Sequence, residues 1–339
     1  MRVRPFPVSC VAVLCLLGLA GQSDAQCQPD GDVEFVCGPV SPEDMVAVPD
    51  TPWLIVAGME DDGYLYATHT RNLSTTVLFP TSSFPSRRDA VFSDCAGPVT
   101  SGFRPHGISL RPGAHGRHTL YVVRHGAREA IEVFEVDTRW GAPRLTWRGC
   151  AVAPDGVTFN SVTALPGQGF AATHFTRPVG ELWEWQPEAK WTKVPGSETN
   201  GPNGLVSSPD GRWFYIGGWG TRSLIRLSRG QSPVQQEAVD VGFHIDNVRW
   251  APDGSLLAAG HLGDAPESIF QCLGQRQCDG VTSHVARVDP ERLTTEEIVR
   301  YPSNEHFILG TVGLQVGDEI WLGGIAGADR IARFPAPTR

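Results

Sequence analysis

Residues 201–218, "GPNGLVSSPDGRWFYIGG", and residues 244–261, "HIDNVRWAPDGSLLAAGH", share one layout. A polar residue, Asn203 or Asp246, opens a short apolar run; a Pro-Asp-Gly turn follows, then a second apolar run ending in glycine. Short runs rich in Val, Ile, Leu, Trp and Tyr with turn residues between them read as β-hairpins. The layout recurs with looser turns, whose starts at Pro49, Pro112, Pro166, Pro209, Pro252 and Gly317 lie 63, 54, 43, 43 and 65 residues apart. Each turn is preceded by an apolar run such as "MVAV", "ISL" or "VGLQV", and a third run follows, such as "YLYAT", "ELWEW" or "RIARF". One supersecondary unit repeated at such a period signals a solenoid or a propeller. Six units of four antiparallel strands predict an all-β, six-bladed β-propeller. The last unit lacks an outermost strand, and "DVEFVC", residues 32–37, precedes the first unit and could supply it. Pairing the two would leave no open edge.

The ends and the composition limit what such a protein does. Arg2 and Arg4 precede the apolar run "VSCVAVLCLLGLAG", and "SDA" ends at Ala25. This pattern predicts a cleaved secretory signal over residues 1–25 rather than a membrane span, which needs about 20 apolar residues. One propeller domain then covers residues 26–339, and the chain is read as exported, periplasmic or secreted. Removing Arg2, Arg4 and Asp24 leaves 26 basic and 36 acidic residues, a balance of −10. An acidic chain without a basic run is a poor partner for nucleic acid or an anionic membrane. Of eight cysteines, Cys10 and Cys15 leave with the signal. The remaining six suit disulfides in an oxidising compartment. Fifteen pairings are open in principle; the local set Cys27–Cys37, Cys95–Cys150 and Cys272–Cys278 is favoured. A metal-thiolate site is the alternative, but no C-x-x-C pair is present.

Six residues before each turn start stand Glu43, His106, Asn160, Asn203, Asp246 and Thr311. One step on stand Asp44, Gly107, Ser161, Gly204, Asn247 and Val312. In a propeller these positions begin the innermost strand of each blade, so they converge on the axis. Glu43, Asn160, Asn203, Asp246 and Asn247 together offer carboxylate and amide oxygens and no thiolate. Such hard donors suit Ca²⁺, which takes 6–8 oxygens in irregular geometry, better than zinc or Mg²⁺. Two carboxylates crowded on one axis also repel unless a cation joins them. The plainer alternative is that these residues cap strands and bond loop backbone.

The phrases "PEDMVAV", "PHGISL" with "LYVVRHGAREAIEVFEV", "FNSVTAL", "GPNGLVSSPDG" and "HIDNVRWAPDG" fall in order over five of the six repeats. In this the chain resembles the calcium-dependent six-bladed propeller hydrolases: paraoxonases (arylesterases) and the gluconolactonase/regucalcin group. The resemblance implies a catalytic calcium held by Glu43, Asn160, Asn203, Asp246 and Asn247. In the gluconolactonase group the matching ligands are Glu43, Asn203 and Asp246 alone, with Asn160 near substrate. His106 and His125 match the histidine pair proposed to activate water in paraoxonases. A second, structural calcium is implied at Asp44 and the Ile108 carbonyl, but its acidic third partner is Ser161 here. The amphipathic leading helix with which paraoxonases hold lipoprotein has no counterpart.

The expected activity is hydrolysis of lactones or carboxylic and aryl esters. Calcium would polarise the carbonyl, and His106 with His125, or in their place Asp246, would activate water. His174, Trp219 and His261, which end second strands, together with Phe175 and Phe307, are expected around a partly apolar pocket. No G-x-S-x-G elbow offers a serine nucleophile. The rivals are phosphotriester hydrolysis or a strictosidine-synthase-like lyase on the same frame, and a propeller that only binds a ligand or a partner protein.

Overall fold

The computed structural model describes residues 27–275, 278–325 and 329–337. Its strands form six four-stranded antiparallel sheets, so the propeller expected from the repeats is what the chain builds. The innermost strands are Pro42–Ala47, Phe103–Arg111, Phe159–Ala164, Pro202–Ser207, His244–Trp250 and Gly310–Val316, of blades 1 to 6 in turn. Each packs against the next around the axis, and the sixth meets the first. In blade 4 the order outward is Pro202–Ser207, Trp213–Gly218, Ser223–Ser228 and Gln236–Asp240, which is also chain order. Blade 6 takes its outermost strand from the other end of the chain. Glu34–Cys37 pairs with Arg330–Pro335, Glu34 opposite Arg333 and Cys37 opposite Arg330. The ring is thereby closed by hydrogen bonds, and no blade is left with a missing strand.

Local chemistry explains the hairpins. Gly211 and Gly254, the glycines of the two Pro-Asp-Gly turns, sit at φ +70° and +82°. That left-handed region is open to glycine at little cost and strains other side chains. Between blades the core is apolar and aromatic. Phe79 of blade 1 meets Phe103 and Phe134 of blade 2 edge-on at 4.9 Å, and within blade 3 Phe170 stacks on its cross-strand partner Trp185 at 5.0 Å. Such pairs add directional attraction to the burial of large apolar area.

All three expected disulfides form: Cys27–Cys37, Cys95–Cys150 and Cys272–Cys278. Cys95–Cys150 ties the long connection 80–102 to the outer strand Arg144–Val152 of blade 2. Cys272–Cys278 closes the end of a short helix, Pro266–Gln271, in the loop between the second and third strands of blade 5. The signal assigned to residues 1–25 lies outside the described residues. No described helix is long and apolar enough to cross a membrane.

One irregularity repeats in every blade. The pairing of each innermost strand shifts register at Pro42/Asp44, Pro105/Ile108, Phe159/Val162, Pro202/Leu205, Ile245/Val248 and Gly310/Val312. Glu43, His106, Asn160, Asn203, Asp246 and Thr311 fall within these breaks. A bulge frees a residue from the ladder and re-aims its side chain, which accounts for a polar residue recurring at the head of an apolar strand. Gly107 and Gly204 serve the same crowding. A Cβ on them would stand 2.5 Å from the Asn160 carbonyl oxygen and 2.4 Å from that of Asp246, so only glycine lets adjacent blades approach so closely.

Candidate functional site

Five of the six bulges deliver their side chains to one cavity. Glu43, His106, Asn160, Asn203 and Asp246 line it, and its volume is about 310 Å³. Asn247 stands behind Glu43, and its amide nitrogen donates to Glu43 Oε1 at 2.7 Å. Thr311 turns its hydroxyl to the Glu43 carbonyl oxygen (2.7 Å) and so locks blade 6 to blade 1.

Glu43, Asn203, Asp246 and Asn247 are all buried. Three of their acceptor atoms and that of Asn160 decide the site's character: Glu43 Oε2, Asn203 Oδ1, Asn247 Oδ1 and Asn160 Oδ1 are buried and have no hydrogen-bond partner. A buried acceptor without a partner costs about 1–3 kcal/mol, so four together are a large penalty unless something positive meets them. The charges agree. Burial, with the nearby Asp44 and Asp246, raises Glu43 well above the usual carboxylate range. Burial and then Asp44 push Asp246 up to about 8, against an opposing hydrogen bond from Asn203. Among the described residues no three His, Cys, Asp or Glu side chains gather into a metal cluster. A cation here would rely on amide oxygens beside two carboxylates, a donor set that fits calcium and not zinc.

Where the resemblance implies a second calcium, with Ser161 in place of its acidic third partner, Asp44 and the Ile108 carbonyl are both met by a side chain. Arg249 Nη2 donates to Asp44 Oδ2 and to the Ile108 carbonyl oxygen, the latter at 3.0 Å. Its Nε donates to the Met45 carbonyl (3.0 Å) and its Nη1 to the Val248 carbonyl (2.7 Å). The Ile108 N–H also bonds Asp44 Oδ2, at 2.7 Å. A guanidinium thus supplies positive charge to the carboxylate and carbonyl that the resemblance assigns to a metal.

His106 and His125 come together as expected. His106 Nδ1 lies 2.9 Å from His125 Nε2, and His106 Nε2 faces Glu43 Oε1 at 3.7 Å. Only His106 reaches the cavity wall. Burial, then the charges of His125 and Arg104, hold His106 well below the usual imidazole range. Its ring is therefore neutral at neutral pH.

The remaining pocket residues divide. Phe175, Trp219 and His261 line the cavity. Trp219 Nε1 donates to His261 Nε2 at 3.0 Å, so the His261 proton sits on Nδ1, which faces the Gly310 carbonyl at 3.3 Å. Burial lowers His261 to about 4, so its ring is neutral and accepts from the indole. His174 and Phe307 do not line the cavity. His174 Nδ1 turns to Glu181 (3.4 Å), and Phe307 is packed between blades 5 and 6 against Tyr301. In their stead come Ile269, Phe270 and Leu273 from the short helix and its end, with Leu309 and Ile325. Arg104, on the same strand face as His106, adds a cation. Sequence reasoning missed the helix because six residues, "PESIFQ", are too few to show a period.

Fold and site together define a six-bladed β-propeller with a ring of acid and amide oxygens at one mouth of its channel. Among solved structures the chain is similar to regucalcin, a calcium-binding protein from Agrobacterium tumefaciens, at 14% identity over 89% of this chain and 94% of that chain, TM-score 0.51. It is also similar to virginiamycin B lyase from Staphylococcus aureus, at 11% identity over 90% of this chain and 99% of that chain, TM-score 0.51. A streptogramin B lyase matches at 9% identity, 90% and 97% coverage, TM-score 0.50. At these identities the likeness is one of fold. No protein-family model and no curated protein matches the chain.

Proposed function

We propose that this protein is an exported, calcium-dependent hydrolase of carboxylic esters or lactones with apolar or aromatic substituents. The observation that carries the reading is the set of four partnerless buried oxygens, one from Glu43 and three from amides, at and just behind the floor of a cavity that also holds Asp246 and has apolar walls. Glu43, Asn160, Asn203, Asp246 and Asn247 are the residues that would hold the ion. Bound there, calcium supplies Lewis-acid polarisation of the substrate carbonyl and neutralises the paired acids.

This chain's own residues supply the rest. His106 Nε2, at the cavity wall, takes a proton from water as the water oxygen adds to the carbonyl carbon. His125, hydrogen-bonded behind it, shares the positive charge that develops. The proton then returns to the departing alkoxide as the carbon–oxygen bond breaks, leaving acid and alcohol, or the opened hydroxy acid of a lactone. Asp246, placed in the ring and bonded to Asn203, is assigned to the ion rather than to proton transfer. Phe175, Trp219, Phe270 and Leu273 exclude water from an apolar substituent and offer a sugar ring few partners. Three disulfides support export.

The test is turnover of a panel of chromogenic aryl esters and alkyl-substituted lactones. Activity is expected on the apolar members, lost in EGTA and restored by calcium but not by magnesium. Turnover that persists in EGTA, or a panel left untouched with calcium present, would overturn the reading.

A further inference from the structure

The histidine pair does not end at His125. His125 Nδ1 lies 2.8 Å from Glu129 Oε2, and Glu129 Oε1 accepts from the Phe159 backbone N–H at 3.0 Å. Phe159 immediately precedes the ring residue Asn160. Glu129 is brought back to His125 by the tight hairpin at Gly126 (φ +92°), where a Cβ would stand 2.0 Å from the Gly102 carbonyl oxygen. The neighbouring cation, Arg128, is turned away: it bonds Glu132 Oε1 (2.6 and 2.8 Å) and the Gly97 carbonyl (3.0 Å). The Glu129 carboxylate is thus given to one imidazole and one amide.

We propose that Glu129 is a positioning residue that sets the direction of the protons along the pair, so that the cavity-facing nitrogen of His106 is the bare one. The inference rests on the reading of His106 as the base. A carboxylate only accepts, so His125 Nδ1 carries its proton. In the resting pair each ring has one N–H, so His125 Nε2 accepts, and the proton of the His106–His125 bond belongs to His106 Nδ1. His106 Nε2 is then left with its lone pair toward the cavity, the state a general base needs. The acceptor at one end is transmitted through two rings to the reacting end.

Glu129→Gln reverses this chain with no change of shape. The Phe159 N–H still requires an oxygen, so the amide oxygen is held there and the amide nitrogen faces His125 Nδ1. The amide N–H donates, so His125 Nδ1 must now accept, His125 Nε2 becomes the donor, and His106 Nε2 acquires the proton. The variant is expected to lose about 10²–10⁴-fold in kcat, the range seen when a base is held in the wrong tautomer or removed, with KM nearly unchanged. Glu129→Ala imposes no donor and is expected to lose less than Glu129→Gln. A packing role predicts the opposite order, because glutamine keeps the side-chain volume. A kcat for Glu129→Gln within about threefold of wild type, or a larger loss in Glu129→Ala, overturns the proposal.

A readout independent of turnover is the nitrogen-15 spectrum of the imidazoles. Wild type should carry the His106 proton on Nδ1, and Glu129→Gln should carry it on Nε2. A wild-type His106 protonated on Nε2 refutes the relay even if the variants do not fold. A panel of esters left untouched beside the expected spectrum would refute the hydrolase reading and leave the relay standing.

Discussion

Asp246→Ala is expected to lower kcat/KM by about 10³-fold or more and to abolish tight calcium binding, while the protein stays folded. Asp246 is one of two acids on the cavity floor, and burial with the facing charge of Asp44 raises it to about 8. That position is unfavourable for an ionised side chain until a cation joins it. Removing the carboxylate therefore costs the folded chain little and the metal site much. Asp246→Asn, which keeps the shape and an oxygen but removes the charge, should bind calcium more weakly than wild type and fall between the two. Steady-state kinetics at saturating calcium, beside a calcium titration, check this. Wild-type turnover in Asp246→Ala would remove the residue from the site.

The second large effect is on stability. Arg249→Met is expected to destabilise the fold by about 3–5 kcal/mol, the cost of breaking a buried ion pair by removing one partner. Arg249 and Asp44 are both buried, Asp44 fully so. The guanidinium joins Asp44 and Met45 on blade 1, Ile108 on blade 2 and Val248 on its own blade 5. Methionine keeps the apolar stem but strands a carboxylate in the channel wall. Asp44→Asn in the Arg249→Met background should recover part of the loss, because the stranded charge is then gone. Urea unfolding of the three proteins is the measurement. A loss under about 1 kcal/mol for Arg249→Met would show that the pair does not join the blades.

These two residues mark the limits of what the sequence discloses. Asp246 was legible because its position is defined by a repeat: a polar residue a fixed distance before a turn recurs, and the bulge makes that distance structural. The closing strand was legible for the same reason, since a unit short of one strand calls for another at the far end of the chain. The disulfides followed from an expected oxidising compartment and from closeness in sequence. Arg249 carried no such mark. In "NVRW" it reads as one more strand residue, and nothing local says that its head group meets a carboxylate 205 residues away. Glu129 reads as hairpin polarity, and its meaning depends on His125 pointing inward and Arg128 pointing elsewhere. The pocket walls were half legible. Trp219, His261 and Phe175 lie at or just past the ends of second strands, where the rule of position holds. Phe307 lies in a loop whose path the pattern does not specify, and the apolar wall around Phe270 belongs to an insertion in one blade only.

The claim on which all of this stands is that one divalent ion is shared by the ring, with Arg249 in place of a second. Isothermal titration of chelator-treated protein with calcium tests it most directly. One equivalent per chain is predicted, with affinity sharply reduced in Asn203→Ala and magnesium a poor competitor. No binding heat, a second tight equivalent, or unchanged affinity in Asn203→Ala would contradict it.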